Sequence, residues 1–351
     1  MVQARKLQPM GVALIGAGMI AKTHVAALSD AGDRLRLAAV MSQRPERARH
    51  LAEHYRGPEP VFTADLTVIT GNPNIQMVIV ATPPSVRIDL IGQLAAAGKH
   101  ILLEKPVART TAEATQVVEI CETAGVALGV LFQHRMRAPS RAAAQRIASG
   151  ALGRLGHVEI AVPLWRDQSY YDELGRGTYA RDGGGVLITQ AIHTLDLALS
   201  LAGPVSTVQA MTATTPLHRM EAEDLAVAGL RFACGAVGSL VASTATFPHG
   251  QETITLHFEQ ASICVRKDAL HIHWRDGRVE VDAQDSQAPG DSGPVVVRHD
   301  WHQGMIEDFA DALRQRRAPM VTGRQALASH RLIDAVETSS RTGRPVDIPP
   351  S

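Results

Sequence analysis

The chain has 351 residues, of which 45% are hydrophobic and 20% charged, and this composition excludes a fibrous or extensively disordered protein. At roughly 100–200 residues per domain, the length predicts two domains. Lysine plus arginine and aspartate plus glutamate number 35 each, so the net charge of zero argues against nucleic acid or an anionic membrane surface as a partner.

The first half of the chain alternates apolar runs of strand length with segments of helical periodicity. Predicted strands cover residues 11–15, 35–41, 77–81, 101–103 and 126–131, and predicted helices follow the first strand and cover 45–54, 84–97 and 110–123. Apolar strands separated by helices indicate a parallel sheet covered on both faces. We therefore predict a doubly wound α/β domain over residues 1–131.

The second half, residues 132–351, has a different pattern. A helix over 140–149, a strand over 158–165 and a glycine-rich segment leading into a helix over 182–201 come first. Strands then follow in series over 205–212, 224–232, 236–245, 252–258, 262–266 and 270–274, which indicates an antiparallel or mixed sheet. The polar region 276–295 is predicted as an exposed hairpin and loop, and helices over 302–316 and 323–341 close the chain.

The three cysteines, Cys121, Cys234 and Cys264, form no CxxC pair and have no histidines at close spacing. This pattern predicts no disulfide framework and no metal site, and it is typical of a cytoplasmic protein. No apolar stretch reaches the ~18–20 residues that span a bilayer, so no membrane partner is expected.

A glycine-rich turn follows the first predicted strand. The residues Gly16, Ala17, Gly18, Met19, Ile20 and Ala21 match G-x-G-x-x-G/A between a strand and a helix. Gly16 permits the tight turn, Gly18 lets the backbone approach a pyrophosphate, and the small Ala21 allows close packing of helix on strand. The turn therefore predicts a dinucleotide site.

The end of the second strand bears on which dinucleotide is bound. NAD is usually held by an acidic residue about 20 residues beyond the glycines, but here Ser42 and Arg44 come first, and Arg47 follows Glu46. A hydroxyl and guanidinium groups suit a 2′-phosphate, so the sequence favours NADP over NAD. The alternative is that the arginines only form the solvated face of a helix.

Lys105 is one of only five lysines among the 35 basic residues, and it lies in the segment ILLEKP at the end of a predicted parallel strand. Ligands of α/β sheets collect beyond those strand ends. Arginine stays protonated, whereas a buried lysine can release its proton, so Lys105 is a candidate acid or base. Pro106 favours an extended conformation at Lys105.

The second candidate cluster follows Gly183-Gly184-Gly185. On the predicted helix Thr189, His193 and Asp196 share one face. Histidine can pass a proton near neutral pH when an adjacent acceptor fixes its tautomer. The alternative is a histidine that is merely satisfied within a helix–sheet interface.

Together, the GxGxxA turn, Ala81-Thr82-Pro83-Pro84, Glu104-Lys105-Pro106 and the triple glycine followed by HxxD resemble the Gfo/Idh/MocA oxidoreductase family over nearly the whole chain. The resemblance implies a Rossmann domain, an α+β domain with a large, mostly antiparallel open sheet, and dimers or tetramers that form through that sheet. It implies hydride transfer between NADP or NAD and a sugar, polyol or related hydroxy compound. By position it assigns catalysis to Lys105 and His193, cofactor contacts to Thr82, Pro83 and Glu104, and 2′-phosphate contacts to Ser42 and Arg47.

Two positions depart from the family pattern. Many sugar-dehydrogenating members have aspartate where this chain has Thr189, and a hydroxyl cannot raise the basicity of a neighbouring group as a carboxylate can. We keep Thr189 as a catalytic-site candidate and expect the proton relay to depend on Lys105 and His193. Arg87 stands where the family usually has a histidine after the Thr-Pro-Pro turn.

Aromatic and basic residues before the triple glycine are candidates for substrate binding, because they suit a ring that bears hydroxyls or a carboxylate. These candidates are Trp165, Arg166, Tyr171 and Arg181, with Gln133 and His134 after the last Rossmann strand. The alternative is that the residues before the triple glycine form a packed loop over the second domain rather than a substrate site. We predict a sugar, polyol or sugar acid as substrate, the alternatives being a dihydrodiol or aromatic-acid diol dehydrogenase and a non-catalytic NADP-binding regulator.

Overall fold

The computed structural model describes residues 8–283 and 298–349. Within them the chain forms two compact units, each assembled from three segments. The first contains residues 8–107, 115–133 and 298–323, and the second contains 108–114, 134–283 and 324–349. The domains predicted from the sequence are two contiguous stretches, whereas in the structure each unit takes a segment from the other half of the chain.

The elements up to residue 123 alternate between strands and helices, and all of them except the strand Val61–Thr63 and the helix Thr67–Thr70 were predicted. The strands are β1 (Met10–Ile15), β2 (Leu35–Met41), β3 (Val61–Thr63), β4 (Ile75–Val80), β5 (His100–Glu104) and, after the last helix, β6 (Leu128–Leu131). The helices are α1 (Ala21–Asp30), α2 (Pro45–Ala48), α3 (Thr67–Thr70), α4 (Arg87–Ala96) and α5 (Thr111–Thr123).

The remaining elements follow in chain order. The helices are α6 (Ala138–Ala148), α7 (Gln168–Tyr171), α8 (Ile192–Ala202), α9 (Asp300–Gln315) and α10 (Gly323–Thr342). The strands are β7 (Leu155–Pro163), β8 (Val205–Ala213), β9 (Leu225–Phe232), β10 (Val237–Ser243), β11 (Thr253–Phe258), β12 (Ala261–Val265), β13 (Leu270–Trp274), β14 (Val279–Asp282) and β15 (Val346–Asp347). A turn of π-helix, Leu187–Ala191, precedes α8.

The first unit contains a six-stranded parallel sheet in the order β3-β2-β1-β4-β5-β6. Its central strands are apolar and buried, as a sheet covered on both faces requires. The strand order reverses between β1 and β4, which is where α/β sheets bind ligands at the carboxyl ends of the strands. The predicted doubly wound fold is confirmed.

Helix α9 joins the first unit although it lies late in the chain. It packs on α1 and β6, and a Cβ atom added to Gly129 of β6 would lie 2.6 Å from the ring of Phe309. This close contact explains why residues 298–323 belong to the Rossmann unit.

The second unit contains a nine-stranded sheet in the order β14-β13-β12-β11-β7-β10-β9-β8-β15. All neighbours are antiparallel except β7 and β10, so the predicted mostly antiparallel sheet is confirmed. Helices α6 and α8 pack on this sheet, and the residues of β9 and β11 that alternate with the buried ones form its exposed face.

Some predicted boundaries differ from the structure. The helix predicted over 45–54 is α2 followed by a 3-10 helix, Arg49–His54, and the hairpin and loop predicted over 276–295 contain β14. Residues 284–295 of that loop lie outside the described residues. Strands β3 and β15 are too short for an alternation pattern and were not predicted.

Candidate active site

The turn between β1 and α1 has the geometry of a phosphate cradle. Gly16 has a φ of +108°, and a Cβ atom there would lie 2.7 Å from the carbonyl oxygen of Ala81, so only glycine fits. A Cβ atom at Gly18 would meet nothing within 4 Å. The space beside Gly18 is therefore open to a ligand, as approach of a pyrophosphate to the backbone requires.

A cavity of 230 Å³ lies beyond the end of β2. The backbone N–H of Arg44 donates to the Ser42 hydroxyl oxygen at 3.2 Å. The cavity is lined by Ala17, Ser42, Gln43, Arg44, Arg47 and Ala48. These groups include two guanidinium side chains and a hydroxyl, which are the partners that a phosphate prefers.

Thr82 begins the turn after β4. This turn lies next to the glycine turn, because the N–H of the preceding Ala81 donates to the Ile15 carbonyl oxygen at 2.8 Å. The Thr82 hydroxyl is buried and has no hydrogen-bond partner among the described residues. Buried polar groups normally have partners, so this hydroxyl fits a bound dinucleotide. Pro83 is exposed beside it.

Arg87 ties this turn to the Glu-Lys-Pro segment. Arg87 is 2% exposed, and its guanidinium donates to the carbonyl oxygens of Thr82 at 2.6 Å and Glu104 at 2.6 Å, and also to that of Pro106. Burial lowers the pKa of Arg87 to about 10, which the charge of Glu104 partly offsets. The residue that departs from the family pattern therefore braces the backbone on both sides of Lys105.

Glu104 is buried, and its carboxylate binds protein groups. His24 of α1 lies 2.9 Å from one oxygen, and His302 of α9 lies 3.8 Å from the same oxygen. Burial by itself raises the pKa of Glu104, but the His24 hydrogen bond and the neighbouring positive charges, including Lys105, lower it to about 2. Glu104 therefore carries its charge at neutral pH.

Lys105 directly follows β5 and is partly exposed. Its backbone N–H donates to the Glu104 carboxylate at 3.2 Å, and the Lys105–Pro106 peptide bond is cis. The position at the carboxyl end of a central parallel strand agrees with the sequence prediction.

In the second unit, the triple glycine packs against Glu223. A Cβ atom at Gly185 would lie 1.8 Å from the carbonyl oxygen of Glu223, so a larger residue cannot be accommodated. The Glu223 carboxylate accepts hydrogen bonds from the N–H groups of Gly185 and Leu187, each at 3.0 Å. This buried acid, which the sequence analysis missed, anchors the start of the His193 helix.

His193 is buried and stacks on His134, with ring centroids 4.7 Å apart. Asp196, one turn further along α8, accepts two hydrogen bonds at 2.7 Å from Arg135, a residue that the sequence analysis did not select. Thr189 lies in the π-helical turn, where its hydroxyl donates to the Gly185 carbonyl oxygen and lies close to the side-chain oxygen of Gln190. The structure thus places the predicted His134 and His193 together.

Trp165 and Tyr171 both lie against His218, at centroid distances of 5.6 and 5.0 Å. His218 is buried, pairs with Asp224 at 2.7 Å and contacts the Arg166 carbonyl oxygen at 2.8 Å. His218 could not be selected from the sequence, because its position between two aromatic rings depends on long-range packing.

Tyr171, Arg181 and Gln133 have separate environments. The Tyr171 hydroxyl bonds to Thr244 at 2.6 Å, and burial raises the pKa of Tyr171 to about 12. Arg181 donates to the Leu174 carbonyl oxygen at 2.8 Å and lies 3.7 Å from Asp182, so its interactions are within its own loop. Gln133 is buried after β6.

Two family models match the chain in sequence order. Residues 10–132 match a model described as an oxidoreductase family with an NAD-binding Rossmann fold, and residues 140–264 match the GFO/IDH/MocA C-terminal domain. The chain belongs to the Gfo/Idh/MocA family. The resemblance predicted from the sequence is confirmed, and this family member is an oxidoreductase with an NAD-binding domain.

Similar proteins are dehydrogenases of sugars and polyols. D-apiose dehydrogenase of Paraburkholderia graminis is 26% identical over 96% of this chain and 89% of its own. Inositol 2-dehydrogenase of Rhizobium meliloti is 28% identical over 95% and 98%. The crystal structure of the WlbA dehydrogenase from Bordetella pertussis, in complex with NADH and UDP-GlcNAcA, matches with a TM-score of 0.83 and 29% identity over 98% of this chain and 99% of that one.

Among the described residues, we find no helix with the length and apolarity that a membrane crossing requires.

Proposed function

We propose that this Gfo/Idh/MocA enzyme removes hydride from a secondary alcohol of a sugar, polyol or sugar acid, with Lys105 as the group that takes the hydroxyl proton. The observation that carries the proposal is the bracing of Lys105, whose backbone is held by Glu104 on one side and by Arg87 on both. These hydrogen bonds hold the backbone from which the Lys105 side chain extends, and orientation of the reacting groups is the main contribution of a protein to hydride chemistry.

The nicotinamide, when bound, supplies the hydride acceptor. Lys105 accepts the hydroxyl proton as the carbonyl forms, and in the reverse direction it donates that proton to the carbonyl oxygen. The permanent charge of Glu104 lies next to Lys105 in sequence and in space. We assign Glu104 the role of a positioning residue, because its carboxylate is occupied by His24 and the Lys105 N–H.

His193 is proposed as the second member of the proton relay. Its ring orientation is fixed by the stack on His134, and Arg135 and Asp196 hold the same helix in place. A double-mutant cycle in kcat/KM measures whether Lys105 and His193 act on one step, since independent residues give additive losses of free energy.

The cofactor is proposed to be NADP. The support is the cavity beyond β2, whose lining includes Ser42, Arg44 and Arg47. A 2′-phosphate placed there would receive charge-assisted hydrogen bonds from guanidinium groups, which NAD cannot use.

The substrate class is supported by the aromatic cluster of the second unit. Trp165 is partly exposed and lies against the buried His218, so its ring is the aromatic surface that we propose for the sugar. Arg166 and Arg181 are the cations proposed for a carboxylate. The similar WlbA structure contains UDP-GlcNAcA, a nucleotide-linked sugar acid. A dihydrodiol or aromatic-acid diol would also fit an aromatic platform and belongs in the test panel.

The exposed face of the nine-stranded sheet is proposed to pair two or four copies of the chain. Its apolar side chains include Met211, 58% exposed, and Val241, 45% exposed. Exposed apolar patches of this kind mark interaction surfaces.

The test is turnover of Lys105→Met with NADP and NAD against polyols, aldoses, sugar acids and dihydrodiols, read at the absorbance of reduced nicotinamide. We expect kcat to fall by about 10²–10⁴-fold, as for a positioned acid or base, with NADP affinity by fluorescence titration retained. Lys267→Met, a lysine of the β12–β13 turn, is the matched control. Turnover close to wild type in Lys105→Met would overturn the assignment, and NADP binding without turnover of any panel member would favour the regulator.

A further inference from the structure

Two histidines and a glutamate meet on the exposed face of the nine-stranded sheet. His157 and Glu159 lie on β7, and His257 lies directly opposite His157 on the antiparallel strand β11. Val158 and Ile160 are buried. Because successive side chains of a strand alternate between faces, His157 and Glu159 point away from the core.

The three side chains converge on one point. The rings of His157 and His257 stack with an interplanar angle of 11° and centroids 5.2 Å apart. One Glu159 carboxylate oxygen lies 3.9 Å from His157 Nδ1 and 3.7 Å from His257 Nε2, and all three ligand atoms lie within 4.8 Å of one another. A tetrahedral zinc ion needs ligand atoms roughly 3.4 Å apart, so small side-chain rotations bring them to bonding distance.

A second observation points to a ligand at His257. Its Nδ1 atom bonds to the Ser262 hydroxyl at 2.8 Å. Its Nε2 atom is shielded from solvent and has no hydrogen-bond partner among the described residues. When Nδ1 donates to Ser262, the lone pair of Nε2 is directed away from that bond, as in metal-bound histidines whose other nitrogen has a hydrogen-bond partner.

We propose that His157, Glu159 and His257 bind a zinc ion and leave a fourth coordination position open. Two imidazole nitrogens and one carboxylate oxygen are a typical ligand set for zinc, whereas magnesium and calcium prefer oxygen ligands alone. The ion connects β7 with β11. The site lies on the sheet face that is also proposed to join copies of the chain, since His157 and Val241 point to the same side of neighbouring strands. It is independent of the proposed dehydrogenase chemistry. No metal site was predicted from the sequence, because strand pairing brings together histidines that are far apart in the chain.

The experiment is a zinc titration of the full-length, metal-free protein in competition with a chromophoric chelator. We expect one zinc ion per chain, and we expect affinity to fall by more than about tenfold in Glu159→Gln and in His257→Ala. His273→Ala is the matched control, because His273 lies on the same sheet face but supplies none of the three ligand atoms. Its zinc affinity should equal that of the wild type.

A second readout is the visible absorption of the cobalt-substituted protein, which reports tetrahedral coordination, together with the effect of zinc on Tm. Zinc should raise the Tm of the wild type and of His273→Ala but not that of Glu159→Gln, a near-isosteric change at an exposed position that preserves the fold. The proposal is overturned if the wild type does not bind zinc, or if the Glu159→Gln variant binds it with unchanged affinity. Neither readout depends on dehydrogenase activity.

Discussion

Arg87 is a buried cation whose neutral partners are backbone carbonyl oxygens. A charge away from water is costly unless it is fully hydrogen-bonded, and the carbonyl groups of Thr82, Glu104 and Pro106 supply those bonds. With a pKa of about 10 the guanidinium remains charged at neutral pH. The sequence marked Arg87 only as a departure from the family pattern, because nothing local indicates which carbonyl groups it reaches.

Other residues of the site differ in how well their positions and contacts could be predicted from the sequence. The glycine turn and Lys105 could be predicted, since a turn, a strand end and a proline are local features. The contact of Asp196 with Arg135 joins residues 61 positions apart, so spacing along one helix could not predict it. The carboxylate of Glu104, which the family resemblance places along the cofactor, contacts His24 and His302, and nothing within the Glu-Lys-Pro segment indicates these two partners.

Arg47 provides a test of cofactor preference at a single residue. Because a guanidinium–phosphate bond is charge-assisted, Arg47→Ala should weaken NADP binding by about tenfold to a hundredfold and NAD binding far less. Dissociation constants from nicotinamide fluorescence titrations measure both effects. Arg49→Ala is the control, since Arg49 lies outside the cavity lining and faces Glu59 at 3.5 Å. An equal loss for both cofactors would exclude a 2′-phosphate contact.

The start of the His193 helix encloses a group of carboxyls. A Cβ atom at Gly184 would lie 3.4 Å from one Glu337 oxygen and 3.9 Å from one Glu223 oxygen. Burial, followed by repulsion from Glu223 and Asp334, raises the pKa of Glu337 to about 8. Glycine is required here because Gly184 has a φ of +153° and because a Cβ atom at Gly185 would lie 1.8 Å from the Glu223 carbonyl oxygen.

Glu337 makes the stability of the second unit depend on pH. Since its pKa is about 8 in the folded chain and 4.5 as the ordinary value, the folded state holds a proton that the unfolded state has lost between these pH values. The free energy of unfolding therefore falls as pH rises through this window. The loss amounts to at most a few kcal/mol, because the side chain is partly exposed.

Glu337→Gln should remove this dependence, since an amide does not ionise. We expect its Tm to exceed that of the wild type at about pH 9, by roughly 2–4 °C for each kcal/mol recovered, and to change less with pH. Differential scanning calorimetry at several pH values, from about 4.5 to beyond 8, measures the Tm of both proteins. Glu119→Gln, at an exposed position of α5, controls for the loss of a charge. A wild-type pH profile in Glu337→Gln would contradict the argument.

Elements with a long periodic pattern were predicted well. Strands β2 and β13 have the predicted bounds, because apolar or alternating runs of this length are typical of strands. The three-residue β3 and the two-residue β15 carry no period and exist only through pairing with β2 and β8.

The division into units follows packing rather than chain order. Helix α9 is amphipathic, but its sequence does not show which sheet receives its apolar face. The absence of a side chain at Gly129 leaves room for Phe309, and this complementarity places the helix on the Rossmann sheet. Two contiguous domains could therefore be inferred only approximately from the sequence.

The exposed face of the large sheet should determine the oligomeric state. Met211, Val227 and Val241 lie side by side on β8, β9 and β10, and Val227 and Val241 are 39% and 45% exposed. Apolar side chains in one row across adjacent strands form a continuous patch, which releases water when it is covered by a second copy.

Val241→Glu should therefore convert the assembled protein into single chains. In an isologous interface the same residue is present on both sides, so the substitution introduces two like charges into an apolar contact. Sedimentation velocity at several concentrations measures the mass. Val61→Glu, an equally large change at an exposed valine of β3, should leave the assembly intact. A wild-type protein that sediments as a single chain, or an assembled Val241→Glu variant, would show that this face does not join the copies.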